Sequence, residues 1–302
     1  MPELPDITIY INALRERVLG VTLKQVTLTN PFVLRTVCPS LDKFTNVPLV
    51  DIRRLGKRIC FGFKNDHWIV IHLMIAGRFQ WLPQEARAGK KKSIASFEFS
   101  TGKLLLTEAG SKRRASLHCF DSESKMQTQD RGGLEIFDIT QQQFSERLQI
   151  RNHTLKRALS DPTLFSGIGN AYSDEILHHA RLSPCRQSQK MDDGEIEILF
   201  DSCQSVLSHW IDILKAHYEQ KFPVKVTAFR EGMAVHGRYR LPCPVCKTLV
   251  QRVRFANNET NYCPRCQTGG KLLADRSLSR LLKADWPKSI DELEELQTTT
   301  NK

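Results

Sequence analysis

The sequence predicts an α+β chain in which a β-rich first part, a helical middle and a small cysteine-rich module follow one another. Three observations carry that expectation. Short apolar or alternating runs between polar breaks fill the chain to about residue 140, and the apolar period becomes helical from Gln143 to about Lys221. Four of the nine cysteines then crowd between Cys243 and Cys266. A length of 302 residues is enough for two or three modules with separate cores.

The first element is an amphipathic helix with Ile7, Tyr10, Ile11, Leu14 and Val18 on one face, opened by Pro5 in its first turn and closed by Gly20. Val21 to Leu28, Leu49 to Arg53, Arg58 to Phe63, Trp68 to Leu73, Ser96 to Phe99 and Lys103 to Leu106 read as strands. Their spacing suggests a sandwich. Ala86 to Ser93, with Arg87, Lys90, Lys91 and Lys92, reads as a solvated basic loop, and Asp121 to Gly133 as a polar linker. Helical spacing follows in Phe144, Leu148, Leu155, Ala158 and Leu159, in Ala171, Tyr172, Ile176 and Leu177, and from Ile196 to Lys221. After the Cys-rich module comes one weak amphipathic stretch (Leu278, Leu281, Leu282, Trp286) and an acidic, then polar, end that is expected to be peripheral. No internal repeat is present.

Lys and Arg number 44 against 33 Asp and Glu, a net charge of +11. Such an excess points to a polyanionic partner, either nucleic acid or an acidic membrane surface. No apolar run reaches the roughly 20 residues that span a bilayer, and Met1 to Gly20 carry Glu3, Asp6, Arg15, Glu16 and Arg17 where a signal peptide has its apolar core. An intracellular protein without a membrane partner is therefore expected. Cys38, Cys60, Cys119, Cys185 and Cys203 are scattered singly and read as reduced packing residues.

Cys243-Pro-Val-Cys246 and Cys263-Pro-Arg-Cys266, with 16 residues between, have the two-knuckle spacing of four thiolates around one tetrahedral zinc. Four sulfurs close the shell, so one structural zinc is expected. Leu249 to Phe255 and Thr260 to Tyr262 can pair as a hairpin about a turn at Asn257-Asn258. By itself such a ribbon could staple a small domain or bind protein, but Arg238, Arg240, Lys247, Arg252, Arg254 and Arg265 around it favour phosphate contacts.

Ser166-Gly-Ile-Gly-Asn170 stands before a second helix, with Asn170 as its expected N-cap. Amide N–H groups at a helix start form a phosphate site, although the same pattern also serves as a plain interhelical turn. The chain opens Met1-Pro-Glu-Leu-Pro-Asp6, and removal of Met1 would expose a secondary amine at Pro2 beside the Glu3 carboxylate. A secondary amine that attacks a sugar C1′ gives an iminium, an electron sink for elimination of the adjacent phosphates. Many chains begin Met-Pro without using it so; the order of the three elements is the specific signal.

In that order they resemble the formamidopyrimidine-DNA glycosylase and endonuclease VIII family. The likeness rests on Pro2-Glu3-Leu4-Pro5, Arg54-Leu-Gly-Lys57-Arg58, His72-Leu73 through Gly77, Gly167-Ile-Gly-Asn170-Ala-Tyr-Ser-Asp-Glu175, and Val235-His-Gly-Arg238 leading into the four cysteines. It implies an N-terminal β-sandwich flanked by helices (residues 1–133), a helix-two-turns-helix domain (134–234), a zinc finger (235–268) and a tail (269–302), with DNA in the cleft between the halves. By the same likeness Pro2 is the nucleophile, Glu3 the general acid, and Lys57 the holder of a phosphate next to the lesion. Lys156 and Asn170 are expected to hold flanking phosphates while the damaged nucleotide is flipped out.

Two departures bear on the site. Where family members place an arginine at the finger's hairpin tip, this chain has Asn258, leaving Arg252, Arg254 or Asn258 itself to meet the phosphate. The family's void-filling Met falls on Ile75 beside Met74, and the neighbouring loop, Glu108-Ala-Gly-Ser-Lys-Arg113-Arg114-Ala-Ser, holds no aromatic; either Arg113 or Arg114 would meet the orphaned base. The implied function is base excision repair of double-stranded DNA carrying oxidised bases or abasic sites, by a monomer, in the cytoplasm at the bacterial nucleoid or in the nucleus of a eukaryote. The short stretch between Arg230 and Val235 leaves no room for the flap with which 8-oxoguanine-specific members cover the flipped purine, so oxidised pyrimidines, ring-opened purines and hydantoins are the expected lesions. The alternatives are an 8-oxoguanine or formamidopyrimidine-specific glycosylase, a damage-binding protein without catalysis, and a basic zinc-ribbon protein that binds RNA or protein.

Overall fold

The computed structural model describes residues 1–86, 93–109, 113–224, 226–227, 229–255, 258–275, 281 and 287–300. The chain divides into two compact units, Met1–Gly133 with Ser208–Ala228, and Leu134–Leu207 with Phe229–Lys302. The expected basic loop at 87–92 and three residues of the weak amphipathic stretch (Leu278, Leu282, Trp286) lie outside the described residues.

In the first unit, α1 (Leu4–Val18) precedes β1 (Thr22–Leu28), β2 (Val47–Leu55), β3 (Arg58–Phe63), β4 (Trp68–His72), β5 (Gly77–Leu82), β6 (Ser93–Phe99), β7 (Gly102–Glu108) and β8 (Ser116–Phe120). All pair antiparallel in the order β5-β7-β6-β1-β2-β3-β4-β8. Between β1 and β2 the ladder keeps only the pairs Thr22–Pro48 and Leu23–Val47, which separates two four-stranded halves. Phe61 on β3 and Phe97 on β6 belong to different halves, yet their rings meet edge to face at 6.1 Å. The halves thus stack with their apolar faces together, as the sandwich expectation requires. Every apolar residue assigned to the α1 face is buried in this core, and the Tyr10 hydroxyl accepts the Phe79 N–H at 3.3 Å.

Two strands, β5 and β8, were not among the expected runs. Gln80 and His118 interrupt them, and each strand stands at an edge of the ladder, where one side needs no apolar cover. The expected polar linker also contains structure. Within it α2 (Glu123–Gln127) buries Met126 against Cys60, Trp68 and Val70, so a single apolar residue anchors an otherwise solvated segment.

The second unit holds α3 (Gln141–Gln149), α4 (Leu155–Ser160), α5 (Asn170–His179), the first part of α6 (Asp193–His217), the hairpin β9 (Gln251–Phe255) and β10 (Asn258–Tyr262), α7 (Pro264–Thr268) and α8 (Ile290–Thr300). The tail departs from the peripheral role expected of it: Ile290 is 1% exposed, and Lys271 and Ser289 form an antiparallel bridge. Asn258 pairs with Phe255 as the first residue of β10 instead of standing in the turn, and the remaining turn residue, Asn257, lies outside the described residues.

Gly77 is required for a steric reason. A Cβ there would lie 2.2 Å from the Leu73 carbonyl oxygen, and backbone cannot yield as a side chain does. Gly77→Ala is expected to cost about 1–3 kcal/mol of stability in a denaturant titration, the range for forced overpacking. A variant as stable as the parent would show that the turn relaxes freely.

Candidate functional site

At the chain start, Pro2 is buried and Glu3 is 2% exposed at the N-cap of α1. Asp6 closes a capping box: its carboxylate accepts the Glu3 N–H at 2.8 Å, while the Glu3 side chain accepts the Asp6 N–H. The first residues are therefore held by the helix they begin. Lys57 arrives from the β2–β3 hairpin, whose two-residue loop Gly56-Lys57 has Gly56 at φ 62°, a left-handed value that glycine adopts without cost. The terminal ammonium is pushed below its ordinary value, chiefly by burial; the charges of Arg78 and Lys57 also lower it, against Glu3 and Asp6. So the fold gathers Pro2, Glu3 and Lys57 about one terminus, together with Arg78, which the sequence did not single out.

Ile75 is 59% exposed on the loop between β4 and β5, next to Met74 at φ 52°. Neutral His72 holds that loop, its Nδ1 accepting the Met74 N–H at 3.1 Å. Burial, then Arg58 and Lys57, depress the His72 pKa to about 4, so the acceptor survives at neutral pH. Arg78 donates to the Ile75 carbonyl at 3.1 Å. On the neighbouring loop Arg113 and Arg114 are exposed, and the buried Glu108 carboxylate accepts the N–H groups of Arg114 (2.8 Å) and Ala115 (3.2 Å). The middle of that loop, 110–112, lies outside the described residues.

In the second unit Lys156, Asn170 and Asn258 line one 570 Å³ cavity, joined by Arg254, Thr260 and Ala274. Asn170 does not cap α5. Gly169 takes the N-cap position, and Asn170, first in the helix, donates through its side-chain amide to the Glu259 carbonyl at 2.9 Å. Glycine at the N-cap offers no side-chain oxygen to the first N–H groups of the helix, and the Asn170 amide instead fastens β10 to α5. Lys156 donates to the Asn170 carbonyl and to Asp174, a carboxylate with no solvent exposure. Both finger arginines reach Glu259, Arg252 at 3.1 Å and Arg254 at 3.5 Å; Arg252 also lies 4.0 Å from the Tyr239 ring centroid, whereas Arg254, 61% exposed, lines the cavity.

Asp174 and Glu175 went unassigned in the sequence, although two carboxylates amid Ala171, Tyr172, Ile176 and Leu177 on a buried helix must find partners. Asp174 also accepts from His236 Nδ1 at 2.8 Å and from the Asn261 N–H at 3.2 Å. Glu175 accepts three consecutive N–H groups, of Ala234, Val235 and His236, at 2.7 to 2.9 Å. Burial pushes its pKa up, and those three donors oppose the shift.

The Sγ atoms of Cys243, Cys246, Cys263 and Cys266 all lie within 4.8 Å of one another, with Cys243 to Cys266 at 3.9 Å and Cys246 to Cys263 at 3.3 Å. Tetrahedral Zn–S bonds of about 2.3 Å place sulfurs about 3.8 Å apart, so the donor set fits a zinc ion. Four thiolates this close repel one another and can stand together only around a cation. His178 of α5, also unassigned, has its Nε2 3.3 Å from Cys243 Sγ; its pKa of about 4, depressed by burial first, leaves a neutral ring that donates to the sulfur. Gln267 accepts the Cys263 N–H at 2.8 Å and donates to the Leu182 carbonyl at 2.9 Å.

Metal analysis of the purified chain is expected to find one zinc per molecule. Cys246→Ser should lower both zinc content and the thermal stability of the finger, because the ion's binding energy is folding energy there. Full zinc retention in that variant would refute the four-thiolate site.

Three family models match in succession: the formamidopyrimidine-DNA glycosylase N-terminal domain over residues 1–115, the H2TH domain of the same enzymes over 135–221, and the zinc finger found in FPG and IleRS over 240–269. Among relatives, an uncharacterised formamidopyrimidine-DNA glycosylase-like protein of Mycobacterium tuberculosis is 40% identical over 151 residues, 50% of this chain and 94% of that one. The formamidopyrimidine-DNA glycosylase of Ureaplasma parvum is 28% identical over 275 residues, 88% of this chain and all of the other. A Lactococcus lactis FPG variant crystallised with a Fapy-dG containing DNA shares the fold at a TM-score of 0.78 and 24% identity, over 88% of this chain and 100% of its own. The L. lactis glycosylase non-covalently bound to DNA with an AP site does so at 0.76 and 23%, over 88% and 99%. With consecutive domains of one enzyme matched in order, and a relative at 40% identity covered almost end to end, the chain belongs to the formamidopyrimidine-DNA glycosylase and endonuclease VIII family.

Proposed function

We propose that the chain is a base-excision-repair DNA glycosylase with abasic-site lyase activity, acting on double-stranded DNA from Pro2. The observation that carries this reading is the chain start itself: a buried proline next to a buried carboxylate at the first turn of a helix, within reach of the charges of Arg78 and Lys57. An amine attacks only when unprotonated, and burial and neighbouring positive charge favour that form. Once Met1 is removed, the Pro2 nitrogen adds to C1′ of the flipped nucleotide as the bond to the base breaks. Glu3 supplies the proton that opens the sugar ring or accompanies the departing base. The resulting iminium withdraws electrons from the sugar, so the 3′ and then the 5′ phosphate leave by elimination. Lys57 holds the adjacent phosphate.

Lys156, Asn170 and the cavity face of Arg254 are assigned to flanking phosphates, with Arg254 taking the part of the missing tip arginine and Asn258 adding a neutral donor. Two of the Lys156 N–H directions are spent on Asp174 and Asn170, which leaves the third for an anion. Ile75 is the apolar wedge, and Arg113 or Arg114 meets the orphaned base. Zinc, when bound, supplies structure to the finger and no chemistry to the reaction. A cytoplasmic or nucleoid location, a monomeric state and the four-part division at residues 133, 234 and 268 belong to the same reading. For lesion class, the supporting feature is that only Glu231 to Ala234 stand between Arg230 and Val235, with the end of that stretch tethered by Glu175 through the N–H groups of Ala234, Val235 and His236. An open pocket discriminates poorly, which favours oxidised pyrimidines, ring-opened purines and hydantoins over 8-oxoguanine.

Borohydride should trap a covalent complex with abasic-site DNA, and a retained N-terminal tag should abolish it; trapping that persists with the tag excludes Pro2. Glu3→Gln is expected to lower base excision by about 10²–10⁴-fold, the usual share of a general acid, while nicking of a ready-made abasic site falls far less. Equal losses in both assays would remove the assigned role.

Single-turnover excision from matched duplexes should rank oxidised pyrimidines and hydantoins above 8-oxoguanine opposite cytosine. Fastest removal of 8-oxoguanine would replace this preference with the purine-specific one.

A further inference from the structure

The family's finger ends at residue 269, but the residues after it do not leave the finger. Leu272 donates its N–H to the Lys288 carbonyl at 2.9 Å, Ile290 donates to the Gly270 carbonyl at 2.8 Å, and Arg265 pairs with Asp291 at 2.8 Å. Residues 273–275, just after the first of these ties, lie along the hairpin. Leu273 donates to the hydroxyl of buried Tyr262 at 2.8 Å, and Asp275, 4% exposed, accepts the Arg254 N–H at 2.8 Å. Ala274, between them, stands in the cavity wall with Lys156, Asn170, Arg254 and Asn258.

A buried carboxylate has the wrong charge for a place one residue from the wall of an anion site, so its presence calls for a return in geometry. In the β9–β10 register Arg254 faces Glu259, and its N–H is received by Asp275 of the segment after the finger. A two-stranded hairpin is marginal by itself. Asp275 therefore fixes β9 at Arg254, which lines the cavity, through the backbone N–H, and leaves the guanidinium to Glu259 and the cavity. We infer that the segment after the finger is a brace for DNA binding, in which Asp275 is the positioning residue that sets Arg254 against a DNA phosphate. This rests on the reading of the chain as a DNA glycosylase.

The test is the salt dependence of binding by the full-length, zinc-loaded chain to a duplex carrying a tetrahydrofuran abasic analogue. Loss of one phosphate contact flattens the slope of log affinity against log salt by about 0.9. Arg254→Ala should show that change, Asp275→Ala should match it, and the double variant should go no further. Asp275→Asn keeps an acceptor for the N–H and should retain the parent slope. A parent-like slope in Asp275→Ala, or additive losses in the double variant, overturns the inference. Amide hydrogen exchange at Arg254, measured without DNA, separates the two layers. Exchange about tenfold faster in Asp275→Ala but unchanged in Asp275→Asn supports the brace, and unchanged exchange in both overturns it. A parent chain that fails to bind the duplex, whatever the exchange result, instead overturns the glycosylase reading and the DNA role with it.

Discussion

The second unit depends on one buried negative charge. Asp174 has no contact with solvent, and its two oxygens are shared among Lys156 of α4, His236 of the segment before the finger, and Asn261 of β10. A carboxylate in that position is tolerable only while those partners stay, and removing one side of a buried ion pair costs about 3–5 kcal/mol. Helix, connecting segment and hairpin are thus compelled to agree on a common geometry. Glu175 adds the next segment by fixing three backbone N–H groups in a row. Through these two adjacent acids, the cavity that gathers Lys156, Asn170, Arg254 and Asn258 is a product of internal electrostatics before any DNA arrives.

The first unit reaches preorganisation by a different route. The end proposed to react is not a side chain on a rigid strand but the chain terminus, the most mobile place in most proteins. Here the terminus is the start of a helix whose apolar face lies in the core, and the reciprocal Glu3–Asp6 capping locks the first turn. Glu3 is thus a structural cap as well as the proposed acid. The β2–β3 hairpin contributes Lys57 from a loop only two residues long, which leaves that side chain little backbone freedom.

What could be read from the residues alone was whatever chemistry is local. Pro2-Glu3, the hairpin glycine before Lys57 and the two Cys-x-x-Cys turns declare themselves within a few positions, as do the long apolar periods of α1 and α6. Elements that owe their existence to distant partners were hidden. The edge strands β5 and β8 lack an apolar pattern, α2 exists because Met126 has a pocket to fill, and His178 matters only through Cys243. The N-cap assignment went astray for a related reason: Asn170 is a good cap by type, but contact with β10 from 89 positions away gave its amide a different use. Arg252 and Arg254 were indistinguishable in sequence, and only the ring of Tyr239 on one side and the cavity on the other part them.

Burial divides the zinc-binding sulfurs into an inner pair, Cys243 and Cys263, and an outer pair, Cys246 and Cys266. His178 donates to one of the inner pair, drawing electron density from it, while the outer pair meets solvent without that shelter. Thiolate oxidation follows exposure and electron richness. Oxidants of the kind that damage bases will reach Cys246 and Cys266 before the others, and a lost ligand frees the metal that holds the finger together. Under severe oxidative stress the finger comes apart from its outer face inward, while the residues at the chain start are still intact.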